Sequence, residues 1–185
     1  MKKSIVLSLL LLFMATGLFA MDMVIGGGAM YNSANYIAEK NYQYEWDEGS
    51  RKNLGGFAFF GINRFFEFNL GYIKKELVYW GTRDRYKRET GALQLGALGK
   101  YPIPISDIFV LFPSLGLDYE LSFDYAYWHE LWFRGGLGLD VFFTEKVFLR
   151  GHFNYGTGFF IGNDFFFDGG LAHGLLLKFG AGWMF

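Results

Sequence analysis

Side chains that could act as nucleophile and base are few and scattered in this sequence. Beyond residue 20 there are five serines and three histidines, and neither a G-x-S-x-G nor a His-x-Ser motif occurs. Nucleophilic hydrolysis needs a nucleophile, a base within hydrogen-bond reach and a group that orients the base. A hydrogen-bonding role is favoured for His152, whereas His173, beside a loop with Asp164 and Asp168, leaves an external site open. The sequence predicts no enzyme, and a lipid-modifying activity is the least favoured alternative.

Charged residues that recur at a spacing of two form the second candidate constellation. For a hairpin loop centred on residue 126, Asp118 lies opposite Arg134, and for a turn centred on residue 145, Asp140 lies opposite Arg150. Opposite charges directly across two strands are favourable, and pairing avoids the larger cost of a lone buried charge. The same predicted interior network contains Glu67, Lys100, Glu120, His152 and Lys178, with Asn69 and Gln94 beside them and Lys178 near the level of Asn154.

Two functions are open for this interior network. It could be a proton relay or a charged constriction for a solute. If the strands close into a barrel, it could instead be an ion-pair plug that stiffens the barrel. The interior of a barrel of eight strands is only wide enough for side chains, which leaves little room for a continuous water channel. The plug is therefore the favoured interpretation.

Metal, cofactor and nucleic-acid chemistry find little support in the composition. The chain has no cysteine, which excludes disulfides and Cys-ligated metals, and it has no His-x-x-x-His spacing. Its formal net charge is -1, so no overall basic character points to nucleic acid. We expect no cofactor, no metal site and no nucleic-acid partner.

Period-two alternation of apolar residues is widespread beyond residue 20, whereas helical periodicity is absent. It predicts eight strands, at about 22–34, 53–62, 65–81, 90–101, 108–122, 131–143, 147–159 and 175–185. The third loses its phase near residues 73–76, which predicts a bulge or an end beyond a membrane. Long connections at 35–52, 82–89, 122–130 and 161–170 alternate with short ones at 63–64, 102–107 and 144–146. That rhythm is typical of an antiparallel up-and-down transmembrane barrel, all-β and eight-stranded.

The composition favours lipid over water outside such a barrel. Aromatic residues make up 22% of the chain, and 26 of its 185 residues are glycine. One face of each strand is bulky and apolar, while the other mixes glycine with charged residues. Rows of bulky side chains from eight strands would not fit the interior. The bulky face is therefore predicted to meet lipid and the mixed face to line the lumen.

The N-terminus resembles an export signal. Lys2 and Lys3 precede an apolar run at 5–14, and small residues follow up to Ala20, the order of a secretory signal peptide. The alternative is an uncleaved anchor helix, but residues 5–20 fall short of the ~20 that a spanning helix needs. The prediction is a signal peptide at 1–20, cleaved on export, and a barrel at 21–185.

The last strand ends in alternating residues Phe179, Ala181, Trp183 and Phe185. With eight amphipathic strands behind a signal peptide, this end resembles the small outer-membrane barrels of the OmpA, OmpX and OmpW types. The resemblance implies residence in the outer membrane of a diderm bacterium, contact with its lipids, and recognition of Phe179, Trp183 and Phe185 by the barrel assembly machinery. It implies a monomer, and because these families differ in function it leaves the function open.

The predicted 82–89 loop is basic. Arg83, Arg85, Lys87 and Arg88 could contact lipid phosphates or an anionic host ligand, although a solvated loop paired to acidic neighbours is favoured. The leading prediction is a plugged barrel with a structural or recognition (adhesion) role. The alternative is an OmpW-like porin or transporter that passes small hydrophobic molecules through a lateral opening. The glycines that would suit such an opening are Gly26, Gly27, Gly28, Gly55 and Gly56.

Overall fold

The computed structural model of the protein describes residues 22–37, 49–80, 85–123, 129–161 and 171–185. For residues 36–37, 49–50, 76–80, 85–88 and 160 it describes the backbone alone. The predicted signal peptide lies outside the described residues, so its cleavage stays a prediction. No helix in the described ranges is long and apolar enough to cross a membrane.

Eight long antiparallel strands and one short strand form a closed barrel. The strands are β1 (Met23–Ile37), β2 (Gly49–Ile62), β3 (Phe66–Trp80), β4 (Arg85–Lys100), β5 (Ile103–Pro104), β6 (Phe109–Ser122), β7 (His129–Phe142), β8 (Val147–Ile161) and β9 (Leu171–Met184). Each long strand pairs with the long strands before and after it in the chain, β4 with β6 included, and β1 pairs with β9 to close the ring. The two-residue β5 lies within a connection and pairs with β6. The predicted fold class, an all-β barrel of eight antiparallel strands, is confirmed.

The two ends of the barrel differ in their connections. At one end, here the turn end, the connections are short, and Asp22 and Phe185 lie there too. The tightest is the three-residue connection at 63–65, in which Asn63 and Arg64 adopt positive φ angles of 53° and 57°. The opposite end, here the loop end, carries the connections that fall largely outside the described residues.

Six of the eight long strands are longer than the alternation predicted, whereas β3 and β6 are slightly shorter. All eight have 14 to 16 residues, where ~9–11 suffice to span a membrane. At the loop end β2 begins at Gly49 and β4 at Arg85, so most of the predicted 82–89 loop is strand. The predicted bulge near 73–76 is wrong, because β3 pairs with β4 without a break from Phe66↔Gly99 to Trp80↔Arg85. Side chains of β3 alternate between the inside and the outside throughout this stretch, but apolar Ile73 faces inward and charged Lys74 faces outward, which breaks the alternation in polarity.

One ladder stops before its strands do. Pairing between β2 and β3 runs from Ile62↔Phe66 to Leu54↔Lys74 and no farther, although both strands continue toward the loop end. In contrast, β1 and β2 pair from Met23↔Ile62 to Tyr36↔Gly49. The β2–β3 ladder therefore stops short of the loop end.

The two faces of the wall differ sharply in polarity. Large apolar side chains cover the outside, for example Leu115 (74% exposed), Leu137, Phe153 and Phe179. Soluble monomers rarely expose contiguous apolar surface beyond a few hundred Å². Of the described buried side chains, 19 are polar or charged and 12 are hydrophobic.

Inward-facing glycines let aromatic rings fill the interior. A Cβ atom at Gly138 would collide with the Phe112 ring, and one at Gly182 would collide with the Phe148 ring. The abundance of both residue types thus has one geometric cause, since small residues on one strand make room for large rings on the next.

Candidate functional site: two ion-pair clusters in the lumen

Four charged side chains form a compact group near the turn end, here the turn-end cluster: Glu67, Lys100, Asp140 and Arg150. Arg150 donates from Nε to Asp140 Oδ1 at 2.6 Å and from Nη2 to Oδ2 at 2.7 Å, a bidentate pair. Its Nη1 donates to Glu67, which also accepts from Lys100 Nζ at 2.5 Å. All four side chains are buried, and their formal charges cancel.

Aromatic rings surround the Arg150 guanidinium. Its central carbon lies 4.6 Å from the ring centre of Phe59 and 5.0 Å from those of Phe112 and Phe148. Such cation–π contacts strengthen when the cation is desolvated. Arg150 is therefore held by two carboxylates and three rings, drawn from β2, β3, β6, β7 and β8.

A second group of six charged side chains lies toward the loop end, here the loop-end cluster: Arg51, Lys75, Asp118, Glu120, Glu130 and Arg134. Glu130 accepts hydrogen bonds from the two terminal guanidinium nitrogens of Arg51, both at 2.8 Å, and from Lys75 Nζ at 2.9 Å. Glu120 lies 2.8 Å from Lys75 Nζ and 3.4 Å from Arg51 Nη2. Three cations balance three carboxylates, so this cluster is also neutral.

Arg134 joins the loop-end cluster by a different register from the one predicted. The β6–β7 ladder places Gly116 opposite Arg134 and Trp132 opposite Asp118, two residues from the predicted pairing. Long side chains reach diagonal partners, and Arg134 Nε lies 2.9 Å from Asp118 Oδ2. The charges are in contact, but this N–H is not aligned for a hydrogen bond. The Asp140↔Arg150 pairing does match the predicted register.

Between the clusters the lumen is polar but less well paired. His152 lies directly opposite Lys178, whereas Asn154 lies opposite Leu176, so the expected level of Lys178 is off by two residues. His152 Nε2 lies 2.8 Å from Ser114 Oγ, which donates to Asn154 Oδ1 at 3.4 Å.

The Ser114–His152 contact raises the question of a nucleophile and its base. Catalysis would need a third group on the other imidazole nitrogen and access for a substrate. His152 is 3% exposed and packs edge-on against Phe112 at 5.2 Å. Within the described ranges the structure gives its ring no carboxylate partner, so we assign the pair to interior hydrogen bonding.

The sequence missed three members of the loop-end cluster. Arg51 and Glu130 fell in predicted loops, and Lys75 fell where the strand phase was thought lost. All three are buried strand residues that face the lumen. Inward alternation could have found Arg51, because it continues the series Asn53, Gly55 and Phe57 by one step.

The remaining predicted site residues are the C-terminal aromatic residues and the basic loop. Phe179, Trp183 and Phe185 are exposed on the outer face of β9 and at its end, and their recognition by an assembly machinery stays a prediction. In the predicted basic loop, Arg83 falls outside the described residues, while Arg85, Lys87 and Arg88 belong to the backbone of β4.

Comparisons with known proteins identify the fold. A scan of family models finds no match, and the search of curated proteins finds none. Among solved structures, the outer membrane protein OprG from Pseudomonas aeruginosa superposes with a TM-score of 0.58 at 16% identity, covering 90% of this chain and 96% of that one. Neisserial surface protein A gives a TM-score of 0.52 at 12% identity, covering 88% and 97%. The chain therefore has the fold of the small eight-stranded outer-membrane barrels.

Proposed function

We propose that this protein is an integral barrel of the outer membrane, exported with a cleaved signal peptide, whose lumen is sealed by side chains. Its role is structural, and any recognition of a ligand would fall to the loop end. The observation that carries the proposal is the pair of neutral, buried ion-pair clusters inside a wall whose outer face is apolar.

The outer face supports residence in a bilayer. Exposing side chains such as Leu115, Leu137 and Phe153 to water is unfavourable, whereas their transfer into hydrocarbon lowers the free energy. Closure of the ring satisfies the backbone along most of each strand, as a medium without water demands. The similarity to outer-membrane barrels favours the outer membrane over another bilayer.

The interior supports a plug rather than a pore. The turn-end cluster and its rings cross-link strands on several sides of the lumen, and the loop-end cluster does the same farther along. Within the two clusters the formal charges also cancel, which leaves no net charge there to attract a permeating ion. A structural, non-conducting barrel is the function that this arrangement serves best.

Replacing Arg134 with Leu tests the plug. The change leaves Asp118 with no described ion-pair partner, so we expect the free energy of unfolding to fall by about 2–3 kcal/mol while bilayer conductance stays near the wild-type level. Lys52→Leu removes a cation from the exposed outer face and is the matched control, with little change expected. An unchanged melting temperature in R134L, or a stable open conductance in the wild type, would contradict the plug.

A second candidate is passage of small apolar molecules through the wall, and one observation favours it at a place other than the predicted one. The ladders across Gly26, Gly27 and Gly28 are unbroken toward both β2 and β9. The β2–β3 ladder, in contrast, ends at Leu54↔Lys74, and beyond that point Glu130 bridges Arg51 on β2 to Lys75 on β3.

Cross-linking the seam tests this candidate. The chain has no cysteine, so Lys52→Cys with Lys74→Cys can be joined by a short linker across β2 and β3. If apolar solutes pass here, their uptake into vesicles should drop to the protein-free level. A link between Ser33→Cys and Leu175→Cys across the fully paired β1–β9 seam should leave uptake unchanged. Equal uptake in both linked proteins would dismiss the lateral route.

A further inference from the structure

Among the side chains that the structure describes, the buried charges of the lumen do not balance. The described buried side chains include six cations, counting Lys178, and five carboxylates. The turn-end cluster holds two of each and the loop-end cluster three of each, so the surplus charge belongs to Lys178. A lone buried charge is far more costly than a paired one.

Lys178 lies between the clusters without a partner of opposite charge. It is 2% exposed, and within the described part of the chain it forms no ion pair and no hydrogen bond. Its Nζ lies 5.5 Å from the ring centre of Phe57, and its strand neighbours are Met30 and His152. The charges of Asp118 and Glu67 attract it without contacting it, while those of Arg134 and Arg150 repel it.

Two unpartnered amides lie at the same part of the lumen. Asn69 on β3 and Gln94 on β4 are diagonal neighbours in the ladder, both are buried, and neither atom of either amide group has a hydrogen-bond partner. Gln94 and Met30, the strand neighbour of Lys178, both approach the space over Gly71. Unsatisfied buried amides cost free energy and so indicate a bound species that the protein atoms do not supply.

We propose that the middle of the lumen is a binding site for one small monovalent anion, such as chloride, held by the Lys178 ammonium and the amide groups of Asn69 and Gln94. The anion neutralises the surplus charge, accepts from three N–H donor groups, and is enclosed by the two clusters. The site goes beyond the structural role proposed above, because it assigns the barrel a ligand.

The test is halide-dependent stability of protein refolded in each salt, so that the enclosed site equilibrates. At constant ionic strength, exchanging sodium gluconate for sodium bromide should raise the melting temperature. Each tenfold increase in bromide above its dissociation constant corresponds to about 1.4 kcal/mol, or roughly 3–6 °C for a chain of this size. Lys178→Met should abolish that increase, whereas the exposed-cation control Lys52→Met should retain it.

Equal bromide responses in all three proteins, or no response in the wild type, would overturn the proposal. Should K178M fail to fold, crystals of the wild type grown in bromide decide the matter by anomalous scattering. A bromide peak in contact with Lys178 Nζ supports the site, whereas water alone, or an uncharged lysine hydrogen-bonded to the amides, refutes it. Neither outcome depends on whether the barrel conducts.

Discussion

Replacing Arg150 with Leu is expected to lower the free energy of unfolding by about 4–5 kcal/mol, the upper part of the range for breaking a buried ion pair. Arg150 is the centre of the turn-end cluster, with two hydrogen bonds to Asp140 and one to Glu67. Its loss leaves Asp140 buried without its bidentate partner. Equilibrium unfolding of the refolded protein in detergent or lipid measures the effect.

Two companion variants separate lost pairing from lost packing. Arg150→Lys keeps the charge but not the planar fork, so an intermediate loss is expected. The double variant Asp140→Leu with Arg150→Leu removes both charges and should recover part of the stability, since an apolar pair costs less than an orphaned carboxylate. If the double variant is less stable than R150L by the full cost of a second independent mutation, the two residues do not act as a pair.

Replacing Leu115 with Arg is expected to cost about 3–4 kcal/mol in a lipid bilayer, because the residue is 74% exposed on the outer face near the middle of β6. In a soluble barrel the same change would be harmless, since it adds a charge to a water-exposed site. The size of the loss of stability therefore reports which medium surrounds the wall. Refolding into vesicles, followed by denaturant titration, gives the value.

Thr157→Arg is the matched control for that experiment. Thr157 also faces outward, but it pairs with His173 toward the loop end of β8. A charge near the edge of a bilayer costs about 0–1 kcal/mol, so T157R should be nearly neutral. Similar small effects in both variants would place the whole outer face in water.

Much of the architecture follows from the sequence because a barrel wall has a strict period of two. Phe109, Leu111 and Leu115 predicted the outer face of β6, and inward Asp140 predicted its partner Arg150 from the centre of a short turn. Short turns fix register closely, since few residues separate the paired strands.

Register across the longer connections was harder to predict. The loop between β6 and β7 is so long that its central residue could not be identified. The predicted pairing of Asp118 with Arg134 was therefore wrong by two residues. The ends of strands were also missed, because charged residues such as Arg51 and Glu130 are typical of loops. Only the closed barrel brings these two residues, 79 positions apart in the chain, into contact.

The early end of the β2–β3 ladder was not predictable from the alternation. Nothing in the local sequence of β2 predicts that its pairing with β3 ends at Leu54. The glycines singled out for a lateral opening instead relieve crowding between well-paired strands.

Spin-label accessibility along the wall tests the central claim most directly. Because the chain lacks cysteine, single cysteines at Leu115, Leu117, Leu137 and Phe153 can carry a nitroxide on the outer face of protein refolded into vesicles. The account predicts high collision rates with dissolved oxygen and low rates with an aqueous nickel complex at all four positions. If the nickel complex reaches these labels as readily as it reaches one at Thr157, the apolar face does not lie in a membrane.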